Sequence, residues 1–208
     1  AHPTASGTQF GVFHFRKSID LSAKPASFVV NVTADNRYRL FVNGQSIGTG
    51  PARSDLANWN YETYDIAPYL KAGANIIAAT VWNFGEYRPY SQISFETGFL
   101  LQGNTAAEEI LNTNKTWKVT QDVAYEPLPI DRPALQSYVV VAEGEKVNGN
   151  NYSWGFTEAS VDESKWAPAR VLWYQVKSRS YGTDGNWHLV PREIPMEENK
   201  KQYFDKAY

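Results

Sequence analysis

The sequence predicts an all-β fold, a jelly-roll β-sandwich with long loops and few short helical turns. Three observations carry this. Short runs alternate apolar and polar residues with period two, as half-buried strands do. Gly and Pro punctuate those runs at close intervals, the pattern of sandwiches and jelly rolls rather than helical folds. Aromatics are plentiful, with 7 Trp, 13 Tyr and 10 Phe in 208 residues, and flat rings pack well on pleated sheets.

The elements follow in order. Gly11 to Arg16 sets Phe13 and Phe15 against Val12, His14 and Arg16, a first strand. Phe28, Val30 and Val32 form the inward side of a second. Tyr38, Leu40 and Val42 alternate with Arg39 and Phe41, and Asn43-Gly44 supplies a tight hairpin turn with two positive φ angles. Trp59 to Ile66 alternates again; Asp65 then caps one helical turn, Pro68 is tolerated inside it, and Gly73 ends it. Asn75 to Trp82 is nearly all apolar, as in a strand buried on both faces. This order is that of a galactose-binding-like β-sandwich.

Further strands are expected at Phe99 to Gln102, Thr116 to Thr120 and Tyr138 to Ala142, with Val171 to Ser180 as the last long one. Ala106 to Leu111 and Val161 to Trp166 invite single helical turns. Tyr125 to Pro133 carries three prolines and reads as a long connection, and Glu143 to Gly155 as a loop. After Trp187 two prolines and a charged run read as a departing linker. The sandwich is therefore expected over 8–190 and the linker over 191–208.

Composition excludes several functions. The net charge is −2 with no basic run, which argues against nucleic acid as a partner. No apolar segment approaches bilayer-spanning length. Cysteine is absent, so disulfides, thiolate metal sites and cysteine nucleophiles are excluded. Gly44-Gln45-Ser46-Ile47-Gly48 matches the G-x-S-x-G pattern, but its serine follows a hairpin and enters a strand, whereas a nucleophile elbow needs a strand running into a helix. His2, His14 and His188 lie far apart without carboxylates at metal-ligand spacing.

One constellation suits sugar recognition: Arg53, Asp55 and Trp59, followed by Trp82, Glu86, Tyr87 and Arg88. Planar charged groups pair with vicinal hydroxyls, and an aromatic platform accepts the apolar face of a sugar ring. The competing reading is structural: Arg53–Asp55 or Glu86–Arg88 ion pairs pinning loops, with Trp59 and Trp82 filling the core. The same surface could instead dock another domain of the same polypeptide.

GTGPARSD, VWNFGEYRPYSQIS and WHLVPREIP, with FHFRKSIDL, YRLFVNGQSIGTGP, ILNTNKTWKV, GEKVNG and VDESKWAPA, resemble the N-terminal region of bacterial α-L-rhamnosidases of glycoside hydrolase family 78. The resemblance runs from about Phe10 to Glu198. It implies a β-sandwich followed by further domains and an (α/α)6 barrel, whose paired acids release terminal L-rhamnose with inversion. Nothing here resembles the barrel's acidic motif, so no catalytic residue carries over and the chain alone is expected to be inactive. The implied partners are a rhamnose-containing glycan and the catalytic barrel of the same polypeptide, in a bacterial periplasmic or secreted setting. Some related modules bind rhamnose through calcium; no calcium ligand is placed here, and Asn148 in GEKVNG stands where the family has an Asp. No cofactor is therefore assigned.

Overall fold

The structure, a computed structural model, describes residues 1–5, 9–137, 143–172, 177–178, 187–200, 202–203 and 205–206. Its strands are β1 (Gly11–Leu21), β2 (Val29–Asp35), β3 (Arg37–Val42), β4 (Gln45–Gly50), β5 (Trp59–Asp65), β6 (Gly73–Asn83), β7 (Gly98–Gly103), β8 (Lys118–Gln121), β9 (Tyr125–Leu128), β10 (Gly144–Val147), β11 (Ala167–Pro168), β12 (Lys177–Ser178) and β13 (His188–Pro191). They form a six-stranded sheet ordered β11-β8-β1-β6-β3-β4, a five-stranded sheet ordered β12-β13-β5-β2-β7, and a β10-β9 ribbon. Helix is confined to single turns among the described residues, the longest being α1 (Arg132–Leu135). The all-β sandwich holds.

The core lies between the two large sheets. Phe13 and Phe15 of β1, Val30 and Val32 of β2, and Tyr38, Leu40 and Val42 of β3 all belong to it, as the alternation predicts. Trp117 is fully buried in the same core, its indole N–H satisfied by the Leu111 carbonyl at 3.1 Å. The Asn43-Gly44 turn has φ of 48° and 82°. Asp65 accepts the Ala67 N–H at 3.0 Å and opens the 3-10 turn Ala67–Tyr69, and Gly73 follows with φ 81°. Ser46 lies on β4 after the hairpin, so the G-x-S-x-G match has no elbow.

Four sequence expectations need correction or restriction. Tyr125–Leu128 and Gly144–Val147, read as connections, pair as an antiparallel ribbon; Pro127 is tolerated because a two-stranded ribbon has only edge strands. Val171 and Leu172 are not strand, and Lys177–Ser178 pairs with β13; residues 173–176 and 179–180 lie outside the described residues. So does the expected strand at 138–142. Leu189, Val190 and Pro191 pair in parallel with β5, so the strand takes in Pro191, where the linker was expected to begin. Arg192 then donates from Nη1 to Glu62 Oε1 at 3.2 Å.

A second, smaller layer covers the outer side of β1. Phe156 and Trp166 pack on Ala78, with Phe41 and Tyr152 alongside. Phe156 stacks on the His14 ring at 3.8 Å between centroids. His14 Nε2 meets Asp122 Oδ2 at 2.8 Å and Nδ1 meets Thr80 Oγ1 at 3.1 Å. Arg16 is paired with Glu163 and donates to the Phe156 carbonyl. From Gly11 to Arg16 every residue of β1 is therefore buried.

Candidate functional site

Beyond that second layer, the outer face of the six-stranded sheet remains open as a groove of about 620 Å³. Its floor follows from strand register. Arg37 and Arg39 alternate with buried Tyr38 and Leu40, so both present outward from β3. Arg37 stands opposite Trp82 of β6, and Arg39 opposite Thr49 of β4. Pro51, Ala52 and Arg53 form one wall, Glu145 of β10 borders the groove, and Arg192, Ile194 and Glu197 form another side.

Beneath the groove lies a buried polar cluster. Glu62 accepts from Tyr38 Oη at 2.8 Å, from the Ala52 N–H at 2.8 Å and from Arg192. The Tyr38 hydroxyl also meets Tyr64 Oη at 3.1 Å. Burial, then the neighbouring Tyr64 and Glu62, push the Tyr38 hydroxyl well above its ordinary value, and burial chiefly lifts Tyr64 to about 12. Gly50 makes room for this carboxylate: a Cβ there would lie 2.2 Å from Glu62 Oε2.

The guanidinium groups are arranged unusually. No carboxylate lies within ion-pair distance of Arg37, Arg39 or Arg53 among the described residues. Arg37 sits over the Phe84 ring at 5.5 Å. Burial, then the charge of Arg53, weaken its hold on its proton. Arg53 donates from Nη1 to Ser91 Oγ at 2.7 Å. Glu197 accepts from Thr49 Oγ1 at 2.7 Å. Burial raises the Glu145 carboxyl above its usual value, opposed by Arg37 and the Trp82 indole.

The seven residues singled out in the sequence divide. Arg53 and Trp82 line this groove together, and Trp82 is half-buried, its ring edge-on to Tyr125. Trp59 is only 2% exposed, its N–H given to Thr33 Oγ1 at 3.0 Å, and it borders a different cavity. Asp55 caps the turn Leu56–Asn58, accepting the Asn58 N–H at 2.9 Å. Glu86 is exposed on the turn Gly85–Tyr87. Tyr87 packs edge-on to Phe10, and Arg88 donates to the Gly85 carbonyl at 3.0 Å. Neither Arg53–Asp55 nor Glu86–Arg88 forms an ion pair. Arg37, Arg39, Glu145, Arg192 and Glu197 were not singled out. The spacing of Arg37 and Arg39 on one strand face was the available signal.

A second cavity, of about 340 Å³, is bordered by Trp59, Trp117, Trp187, Phe99 and Asp35. Asp35 is buried and accepts from Ser94 Oγ at 2.8 Å, the Phe95 N–H at 2.7 Å, the Glu96 N–H at 3.2 Å and Trp187 Nε1 at 3.1 Å. Burial raises its carboxyl above the ordinary value, and these donors oppose the shift. Asn148 Oδ1 accepts the Asn150 N–H at 3.1 Å. Among the described residues no three His, Asp or Glu side chains converge as metal ligands, and no helix is long and apolar enough to cross a membrane.

Comparison with solved structures gives the same sandwich. A family 78 rhamnosidase of Bacillus sp. GL1 matches with a TM-score of 0.77 at 25% identity, over 94% of this chain and 20% of that one. An α-L-rhamnosidase from Dictyoglumus thermophilum matches with a TM-score of 0.60 at 19% identity, over 89% of this chain and 19% of that one. A Pleurotus ostreatus lectin shares the fold at a TM-score of 0.51 and 18% identity, over 94% of this chain and 43% of that one. The chain thus spans about a fifth of the length of the rhamnosidases it matches. No curated protein sequence matches it. Residues 23–184 match the model of the α-L-rhamnosidase N-terminal domain, and the chain belongs to that family.

Proposed function

We propose that this domain is a non-catalytic part of an α-L-rhamnosidase, supporting release of terminal α-L-rhamnose from glycans by an (α/α)6 barrel of the same polypeptide. One observation carries the reading: the buried carboxylates are committed to the fold. Asp35 holds the 94–96 loop and Trp187, Glu62 holds Tyr38, Ala52 and Arg192, and Asp122 holds His14, Ala124 and Ser153. An inverting glycosidase needs one carboxyl free to protonate the leaving oxygen and another, about 6.5–9.5 Å away, to activate water. The setting that goes with this role is bacterial, periplasmic or secreted.

The purified chain is expected to give no turnover of an aryl α-L-rhamnoside above buffer. Turnover that survives repurification overturns the reading. A second reading, an independent carbohydrate-binding module for rhamnose-containing polysaccharide, is favoured by the groove that brings half-buried Trp82 beside Arg37 and Arg53. Titration with rhamnose and rhamnans, with and without calcium, separates the two. Saturable binding lost in Arg53→Ala or Trp82→Ala selects the binding module, and flat titrations select the supporting role.

A further inference from the structure

Arg37, Arg39 and Arg53 converge on one concave surface with no carboxylate in ion-pair contact among the described residues. Like charges brought together repel, the more so where burial lowers the local dielectric. Arg37 feels both burial and Arg53. Arg192, by contrast, is neutralised by Glu62 beneath it and pinned by the Ile194 and Pro195 carbonyls. The two remaining acids are partly engaged, Glu197 by the Thr49 hydroxyl and Glu145 by the Trp82 indole, and both act on Arg37 only from beyond ion-pair distance. With Arg192 and Glu62 cancelling, the lining keeps one positive charge more than it has negative ones.

That surplus suits one carboxylate. Guanidinium groups meet carboxylates through paired, charge-assisted hydrogen bonds. Arg53 spends Nη1 on Ser91, and among the described residues no hydrogen bond engages the Arg37 side chain, which leaves N–H groups on both for a ligand. Trp82 lies directly across from Arg37 in the β3–β6 register and is half-buried, so part of its ring faces the groove. A ring platform beside a carboxylate clamp fits an acidic sugar, whose C–H face stacks while its carboxylate is held.

We propose that this groove binds an acidic saccharide, a hexuronate carboxylate resting on Arg37 and Arg53 and its ring on Trp82. The assignment deepens the glycan-binding reading above and rests on it.

Calorimetric titration of the chain with a galacturonate trisaccharide, with its carboxyl-reduced neutral counterpart, and with a neutral rhamnose oligosaccharide tests it. Saturable binding of the acidic trisaccharide is expected, at least tenfold tighter than the neutral counterpart and weakening as salt is raised. Arg53→Ala, at an exposed loop position, is expected to weaken it tenfold or more with an unchanged thermal midpoint, and Trp82→Ala to weaken both trisaccharides. Equal affinity for the acidic and neutral forms, absence of saturation up to about 10 mM, or sulfate matching the trisaccharide overturns the assignment. If the rhamnose oligosaccharide binds and the acidic one binds no better, the groove assignment alone fails. If none binds, the glycan-binding reading fails with it.

Discussion

Asp122 shows how far a single side chain's role depends on partners distant in sequence. Its carboxylate takes His14 Nε2 at 2.8 Å and the Ala124 N–H at 3.0 Å. Burial alone would raise its proton affinity, but hydrogen bonds from His14 and then Ala124 hold the carboxyl below its ordinary value. The unfolded chain therefore binds this proton more readily than the folded one. The stabilisation is complete above the ordinary carboxylate range and is lost as pH falls through the depressed folded value. Between about pH 6 and pH 3 the wild type is expected to lose more thermal stability than Asp122→Asn, measured by the unfolding midpoint at each pH. His14 was legible as the outward partner of Phe13 and Phe15. Its burial was not, because Asp122 and Phe156 arrive from 108 and 142 positions away, and alternation within one strand says nothing about what covers its polar side.

At the scale of elements, local chemistry settled most boundaries. The Asn-Gly turn, the 3-10 turn that Asp65 leads into through the Ala67 N–H with Pro68 inside it, and the nearly all-apolar run of β6 each combine a backbone requirement with the residue that meets it. The β9–β10 ribbon was hidden because its prolines read as a connection and its pairing spans a long insertion. Gly50 on β4 had a different reason, visible only in three dimensions: a Cβ would lie 2.2 Å from Glu62 Oε2 and 2.8 Å from Tyr38 Cε1. Gly50→Ala is expected to destabilise the fold by about 1–3 kcal/mol, the usual cost of overpacking, read from urea unfolding.

Across the whole molecule, the pairing that joins the late chain to the sandwich is β13 on β5, fastened by Arg192 on Glu62. No strand was read there because prolines and charges disguise a segment that becomes a strand only between β12 and β5. Both side chains of the pair are buried, so Arg192→Ala leaves an uncompensated carboxylate. We expect a loss of about 3–5 kcal/mol in urea unfolding, and Glu62→Gln in the same background is expected to restore part of it. The strand β1 is walled on both sides, by the sandwich interior and by the layer of Phe156 and Trp166. An ordinary sheet strand can slide by one position and trade a wet side for a dry one. Here the same slide would thrust an imidazole and a guanidinium among hydrocarbon and press two phenyl rings onto acids. The segment from Val12 to Arg16 thus works as a key with two cut edges, seating in a single alignment and fixing the alignment of its neighbours.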